Sequence, residues 1–302
     1  MMKVLVSGSG GLIGSALVRH FSDQGISVVR LIRGVKGSDS GVVSWDPHER
    51  RIDRRGLDSI DAVVHLAGEN IGAGRWTAKR KLMIIESRVT GTRFLCETLA
   101  QLAALPVVFA CASAIGIYGN RADELLDETS DPGTGFLADV CRAWEAATKP
   151  AAEAGMRVVH LRIGMVLSGA GGALARMLPP FRLGLGGPIG HGRQYMSWVA
   201  IEDVVRAIHY CLTNPALTGP VNIVAPNPVT NKEFTRVLGR VLWRPTVLPM
   251  PAALLRLALG EMANDLLLSS TRVTPTRLIA EGFEFRFPDL EGALRHELHR
   301  PA

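Results

Sequence analysis

Residues 4–17 read VLVSGSGGLIGSAL: an apolar run, a stretch made mostly of glycine and serine, then a second apolar run. A buried strand and a buried helix joined by so little side chain leave the backbone open to close approach. Gly8, Gly11 and Gly14 fall in a G-x-x-G-x-x-G pattern. In such a loop the first glycine permits the tight turn, the second admits a diphosphate to the backbone, and the third lets helix and strand pack closely. The free N–H groups and partial positive charge of the helix N-terminus favour an anion. The loop, with Ser9, Gly10, Leu12 and Ile13, is the expected dinucleotide cradle, and a mere tight turn is the bland alternative.

The pattern after the loop supports that reading. LIGSALVRHFSDQG (12–25) shows helical spacing and stops at Gly25, and SVVRLI (27–32) is a second strand. Strand, helix, strand is one right-handed βαβ unit. Further strands are expected at 61–68, 106–113, 157–164 and 219–225, and helices at 79–102, 137–155 and 201–212. Wholly apolar strands alternating with helices predict an α/β fold, a doubly wound parallel sheet covered on both faces. Two regions break the alternation: the glycine-rich 166–194, with a short helix GALARML, and the mostly helical 226–302. The expected organisation is a dinucleotide-binding domain over 1–165, to which 195–225 returns. A smaller, mainly helical lobe from 166–194 and 226–302 closes over the C-terminal edge of the sheet.

The second strand selects the coenzyme. An NAD site usually places Asp or Glu about 20 residues beyond the glycines to bind the ribose hydroxyls. Here the strand ends RLIRG (30–34), and no acid lies between Asp23 and Asp39. Arg33 stands where the acid would be. Guanidinium pairs well with phosphate, so NADP(H) is the expected cofactor. Arg30 is a second candidate.

Composition narrows the alternatives. The 302 residues are 47% hydrophobic and 21% charged, an ordinary globular balance. No run of about 18 uncharged apolar residues predicts a membrane span. The nearest, PAALLRLALGEMANDLLLSS (251–270), carries Arg256, Glu261 and Asp265 and reads as amphipathic helix. The first residues run straight into a strand, so no signal peptide is expected. Cys96, Cys111, Cys141 and Cys211 form no C-x-x-C pair, which suits reduced thiols and a cytoplasmic protein. No cluster has metal-ligand spacing. The net charge is +6, and HERRIDRR (48–55) is the densest basic cluster. Acids lie within it and aromatics make up 6% of the chain. It reads as a solvated loop, and the balance suits a small anionic ligand better than nucleic acid or a membrane.

Several stretches resemble the extended short-chain dehydrogenases/reductases. SGSGGLIGS resembles their T-G-x-x-G-x-x-G loop, and VVHLAG their H-x-A-A strand end. RVTGTRFLCETL (88–99) resembles N-V-x-G-T-x-x-L-L-E-A, and ASAIGIYG (112–119) the S-S-x-x-V-Y-G strand end. YMSWVAIEDVVRAI (195–208) resembles the segment framing the substrate pocket. GFLADVCRAWE, RIGMVLS and EGFEFRFPDLEGAL (281–294) match more closely an atypical epimerase-like branch, also called cell-division-inhibitor-like. The resemblance spans essentially the whole chain. It implies a Rossmann-type sheet, NAD(P) binding with backbone contacts at Leu66, Ala67 and Gly68, and a small-molecule substrate. By the same analogy the protein is a monomer or a homodimer.

One departure concerns the chemistry. Extended members carry Y-x-x-x-K on the helix after the catalytic serine, with Glu four residues later. Aligning on Glu145 puts Leu137 at the tyrosine and Cys141 at the lysine. This helix then supplies no acid or base, a contribution worth roughly 10²–10⁴ in rate. Ser113, Tyr118 and Glu69 are the candidate catalytic groups in its place. Arg162, ending a strand, is a candidate for a cofactor phosphate or an anionic substrate group. Asn70, Leu137, Cys141, Gln194, Ser197 and Trp198 are expected around the substrate. The expected activity is that of an oxidoreductase or epimerase on a small polar substrate. The alternative is an NADPH sensor that turns nothing over and acts through protein partners.

Overall fold

The computed structural model describes residues 2–34 and 41–300. In chain order its main strands are β1 (Lys3–Ser7), β2 (Ser27–Arg33), β3 (Val42–Asp46), β4 (Arg51–Ile52), β5 (Ala62–His65), β6 (Val108–Ala114), β7 (Arg157–Ile163) and β8 (Gly219–Ile223). They form one sheet in the order β8-β7-β6-β5-β1-β2-β3-β4. All neighbours are parallel except β3 and β4. The winding reverses between β1 and β5. The crevice beyond their C-terminal ends is the place where open α/β sheets take their ligands.

The longer helices are α1 (Leu12–Asp23), α2 (Ala78–Leu99), α3 (Phe136–Ala146), α4 (Gly172–Arg182), α5 (Ile201–Thr213), α6 (Asn231–Leu242), α7 (Ala252–Leu259) and α8 (Leu290–Glu297). Strand alternation sends Val4 and Val6 into one layer with Leu17, Phe21, Val204 and Ile208 of α1 and α5. Leu5 enters the opposite layer with Phe94 and Leu95 of α2 and Trp144 of α3. Both sheet faces are covered, which is why the strands are apolar throughout. A separate core joins Leu167, Leu178 of α4, Trp198, Phe234 and Leu238 of α6, and Leu290 and Leu294 of α8. No helix among the described residues is long and apolar enough to cross a membrane.

Three expectations are corrected. Residues 48–55 are not simply a loop: they hold β4 and a helical turn at Arg54–Gly56, and the unforeseen β3 precedes them. The helix expected over 137–155 is two, α3 and Lys149–Glu153. Pro150 lacks an N–H and its ring would clash with the carbonyl four residues back, so α3 cannot run through it. Residues 251–270 are interrupted at Gly260, whose φ is +65°, between α7 and the short turns Glu261–Ala263 and Asn264–Leu268.

Two glycines are required where β1 meets α1. Gly8 has φ +68°, and a Cβ there would lie 2.8 Å from the Leu66 carbonyl carbon. A Cβ on Gly14 would lie 2.1 Å from the Gly8 carbonyl oxygen. Gly14→Ala therefore forces helix and strand apart. It is expected to cost about 1–3 kcal/mol, as overpacked cores do. Urea denaturation reads the change, and an unshifted midpoint would show the junction to be slack.

Candidate cofactor and substrate site

The glycine loop lies at the switch point between β1 and β5. Gly11 is the N-cap of α1, no side chain caps that terminus, and its first turn holds no acid. The N–H groups of Leu12, Ile13 and Gly14 have no intrahelical acceptor. A Cβ on Gly10 would meet nothing within 4 Å, so the loop is open there, beside the half-buried Ser9. Gly8 presses on the peptide joining Leu66 and Ala67, which brings together two motifs far apart in sequence.

Ser7 fastens that junction. Its Oγ accepts from the N–H of Leu66 at 3.1 Å and of Ala67 at 3.2 Å, and is 2.7 Å from His65 Nδ1. With two donors already on Oγ, the hydroxyl proton goes to Nδ1. The imidazole proton is then on Nε2, for which no partner exists among the described residues. Burial pulls the His65 pKa down to about 4. His65 is a neutral structural residue.

Arg33 is exposed at the end of β2, with Trp45 of β3 as its neighbour in register. A cavity of about 730 Å³ opens next to it, lined by Gly34, Trp45, Asp46, Arg50 and Phe94 among others. Its walls come from β3, β4 and the turn that follows them, with Phe94 and Thr98 of α2.

Arg88 of α2 is a functional candidate that the sequence reading missed. The available signal was its place in RVTGT, where the family pattern has asparagine. Its guanidinium lies 4.9 Å from the Trp144 ring centroid and donates to the Ile84 carbonyl at 3.2 Å. A Cβ on Gly68 would lie 3.3 Å from its Cζ. No ion pair holds it among the described residues, since Glu69 is taken by Arg80. Burial lowers its pKa. A guanidinium without a carboxylate, beneath the strand end that carries Leu66, Ala67 and Gly68, is suited to an anionic or oxygen-rich ligand.

The three candidate catalytic groups are already engaged. Ser113 donates to Glu145 Oε1 at 2.7 Å, inside the layer between sheet and α3. Tyr118 is fully buried; it donates to Asn222 Oδ1 at 2.8 Å and accepts from Arg162 Nη1 at 3.0 Å. Burial pushes its phenol further up. Glu69 pairs with Arg80 at 2.9 Å and its N–H donates to Ser87 Oγ.

Arg162 is likewise engaged inside the protein. It lies on β7, three strands from β1, and grips both oxygens of Glu145 at 2.9 and 3.0 Å. Burial alone would raise the Glu145 carboxyl, but Arg162 outweighs it and holds the pKa below the usual value. His160 Nδ1 stands 3.7 Å from the same carboxylate.

The expected pocket residues divide. Leu137 packs on Gly116 and joins Phe136, Trp76 and Met262 in an apolar cluster. Cys141 is buried, and desolvation pushes its thiol up to about 11. Asn70 is exposed and accepts from the Gly72 N–H at 2.9 Å. Gln194, Ser197 and Trp198 tie lobe segments together. Their side chains donate to the carbonyls of Ile189 and Leu267, of Thr271, and of Asn227. The described residues hold no group of three or more His, Cys, Asp or Glu suited to a metal.

A switch-point glycine cradle with a basic second strand defines a dinucleotide-binding α/β protein. Residues 4–224 match the model of the NAD dependent epimerase/dehydratase family, and the chain belongs to that family. Residues 250–297 match a domain of unknown function, DUF1731. An epimerase family protein of Mycobacterium bovis, Mb2239, is 43% identical over 298 residues, 99% of this chain and 98% of that protein. The crystal structure of human epimerase family protein SDR39U1 with NADPH superposes with a TM-score of 0.91 at 33% identity, covering 99% of each chain. A Thermus thermophilus UDP-glucose 4-epimerase complex with NAD shares the fold, with a TM-score of 0.75 at 21% identity over 99% of this chain and 98% of that one.

Two outcomes follow from this geometry. His65 is neutral when folded, and its unfolded pKa is near 6.5. Its contribution is complete above that value and is lost as the pH falls toward about 4, by up to about 3 kcal/mol. Urea midpoints from neutral pH downward should decline more gently in His65→Asn; an equally steep decline would remove His65 from this account. Arg88→Met deletes a half-buried charge that has no ion pair among the described residues. The variant should be at least as stable as the parent while binding dinucleotide about tenfold or more weakly. Lower stability with unchanged affinity would mark Arg88 as structural only.

Proposed function

We propose that this chain binds NADP(H) and acts as an oxidoreductase, or as an epimerase through transient oxidation, on a small polar substrate. The observation that carries the reading is Arg33, exposed at the end of β2 where an NAD-selective site would have an acid. The uncapped α1 terminus holds the diphosphate, and Arg33 pairs with the adenosine 2′-phosphate. Arg88 sets a positive charge beneath Gly68. The bound coenzyme would give or take a hydride. Human SDR39U1, crystallised with NADPH, supports the choice of coenzyme.

Leu137 and the protonated Cys141 thiol offer no acid or base where the extended enzymes carry tyrosine and lysine. Proton exchange then falls to water or to the substrate itself. A second reading, an NADPH sensor without turnover, is favoured by one observation: Ser113, Tyr118 and Glu69 all have internal partners.

Calorimetric titration with NADPH and NADH tests the first step. NADPH should bind more tightly, and Arg33→Asp should narrow or reverse the ratio. An unchanged ratio would overturn the phosphate role of Arg33. Nicotinamide absorbance followed against aldehydes, ketones and sugar nucleotides separates the readings, since tight binding without consumption across the panel assigns the sensor.

A further inference from the structure

The smaller lobe presents apolar side chains that no described part of the chain covers. Leu183 is 74% exposed, Trp243 78%, Val247 76% and Leu257 75%. They belong to neighbouring stretches. Arg244 Nε donates to the Arg182 carbonyl, the Gly190 N–H to Met250, and the Met250 N–H to Pro188, each at 2.9 Å. α7 follows directly. It reads AALLRLAL, yet none of its residues is buried.

Within these stretches the charge has one sign, and Glu261, just beyond α7, is paired with Lys81. No acid lies between Glu153 and Glu202, nor between Glu233 and Glu261. Arg182, Arg244 and Arg256 are exposed and pair with no carboxylate among the described residues. Arg244 donates to backbone carbonyls, and Arg256 to Asn264 Oδ1 at 2.9 Å. Apolar groups with an exposed tryptophan, flanked by unopposed arginines, match the chemistry of an anionic bilayer surface.

We infer that this face docks peripherally on anionic lipid. A second copy is the poorer occupant, because a two-fold contact needs a self-complementary patch and these stretches hold arginines with no acid to answer them. The bilayer supplies an apolar layer for Leu183, Trp243, Val247 and Leu257 and negative headgroups for the arginines. The docked face adjoins the loop after β5, where Arg75 donates to the Leu257 carbonyl at 2.8 Å. The inference does not depend on the coenzyme.

The test is cosedimentation of the full chain with phosphatidylcholine vesicles, alone or mixed with phosphatidylglycerol. Binding is expected only to the mixed vesicles, weakening with salt, with a blue shift of tryptophan emission. Leu254→Glu/Leu257→Glu should abolish it without moving the unfolding midpoint, since both side chains are exposed. Arg182→Gln/Arg244→Gln/Arg256→Gln should weaken it about a hundredfold. No binding to mixed vesicles, equal binding to neutral ones, or full binding by either variant would overturn the proposal. A concentration-dependent dimer in light scattering, dissolved by the leucine substitutions, would assign the face to a second copy instead.

Discussion

The backbone contact at Gly8 sets the rest of the molecule. Its carbonyl oxygen lies under Gly14, and its own α-carbon presses on the peptide between Leu66 and Ala67. No side chain fits in either gap. Ser7 closes the arrangement by accepting from both N–H groups of that second strand end. The start of α1 and the end of β5 are therefore held by main chain against main chain. An anion bound there meets groups whose positions do not depend on rotamers, which is the preorganisation that electrostatic recognition needs.

Two arginines, Arg162 buried and Arg88 half-buried, show how charge divides between scaffold and site. Arg162 is matched by Glu145, and Ser113 and Tyr118 complete the network. Breaking a matched buried pair is costly, so this group acts as scaffold. Arg88 has a ring face and one carbonyl but no carboxylate. A charge left so incompletely satisfied is a mark of a functional site. Sequence alignment points to Ser113 and Tyr118; side-chain partners shift attention to Arg88 and to the apolar surroundings of Leu137.

Much of this was legible in the sequence because it is written in backbone requirements. Gly8, Gly14 and the apolar strands leave few alternatives to a parallel sheet with a cradle at its first turn. The exposed place of Arg33 was readable because the apolar run before it marks where β2 ends. The direction of a side chain within a packed layer was not readable. Ser113 and Tyr118 sit close to expected positions along the chain, yet both turn toward partners supplied by β7, β8 and α3. Arg88 was hidden because its meaning lies in a missing partner, which only three dimensions reveal. β3 escaped because Val42–Asp46 is short and carries the polar Ser44 and Asp46 among its five residues.

The second hydrophobic core has a temporal consequence. It joins Leu167 and Leu178 to Leu290 and Leu294, across more than a third of the chain. Strands β1 to β7 can begin pairing as they leave the ribosome, because their partners are close at hand or already made. The apolar stripe of α4 and the buried ring of Trp198 must wait for α8, the last helix synthesised. Until then that surface is open to chaperones and to misassembly, the hazard of folds completed by remote segments.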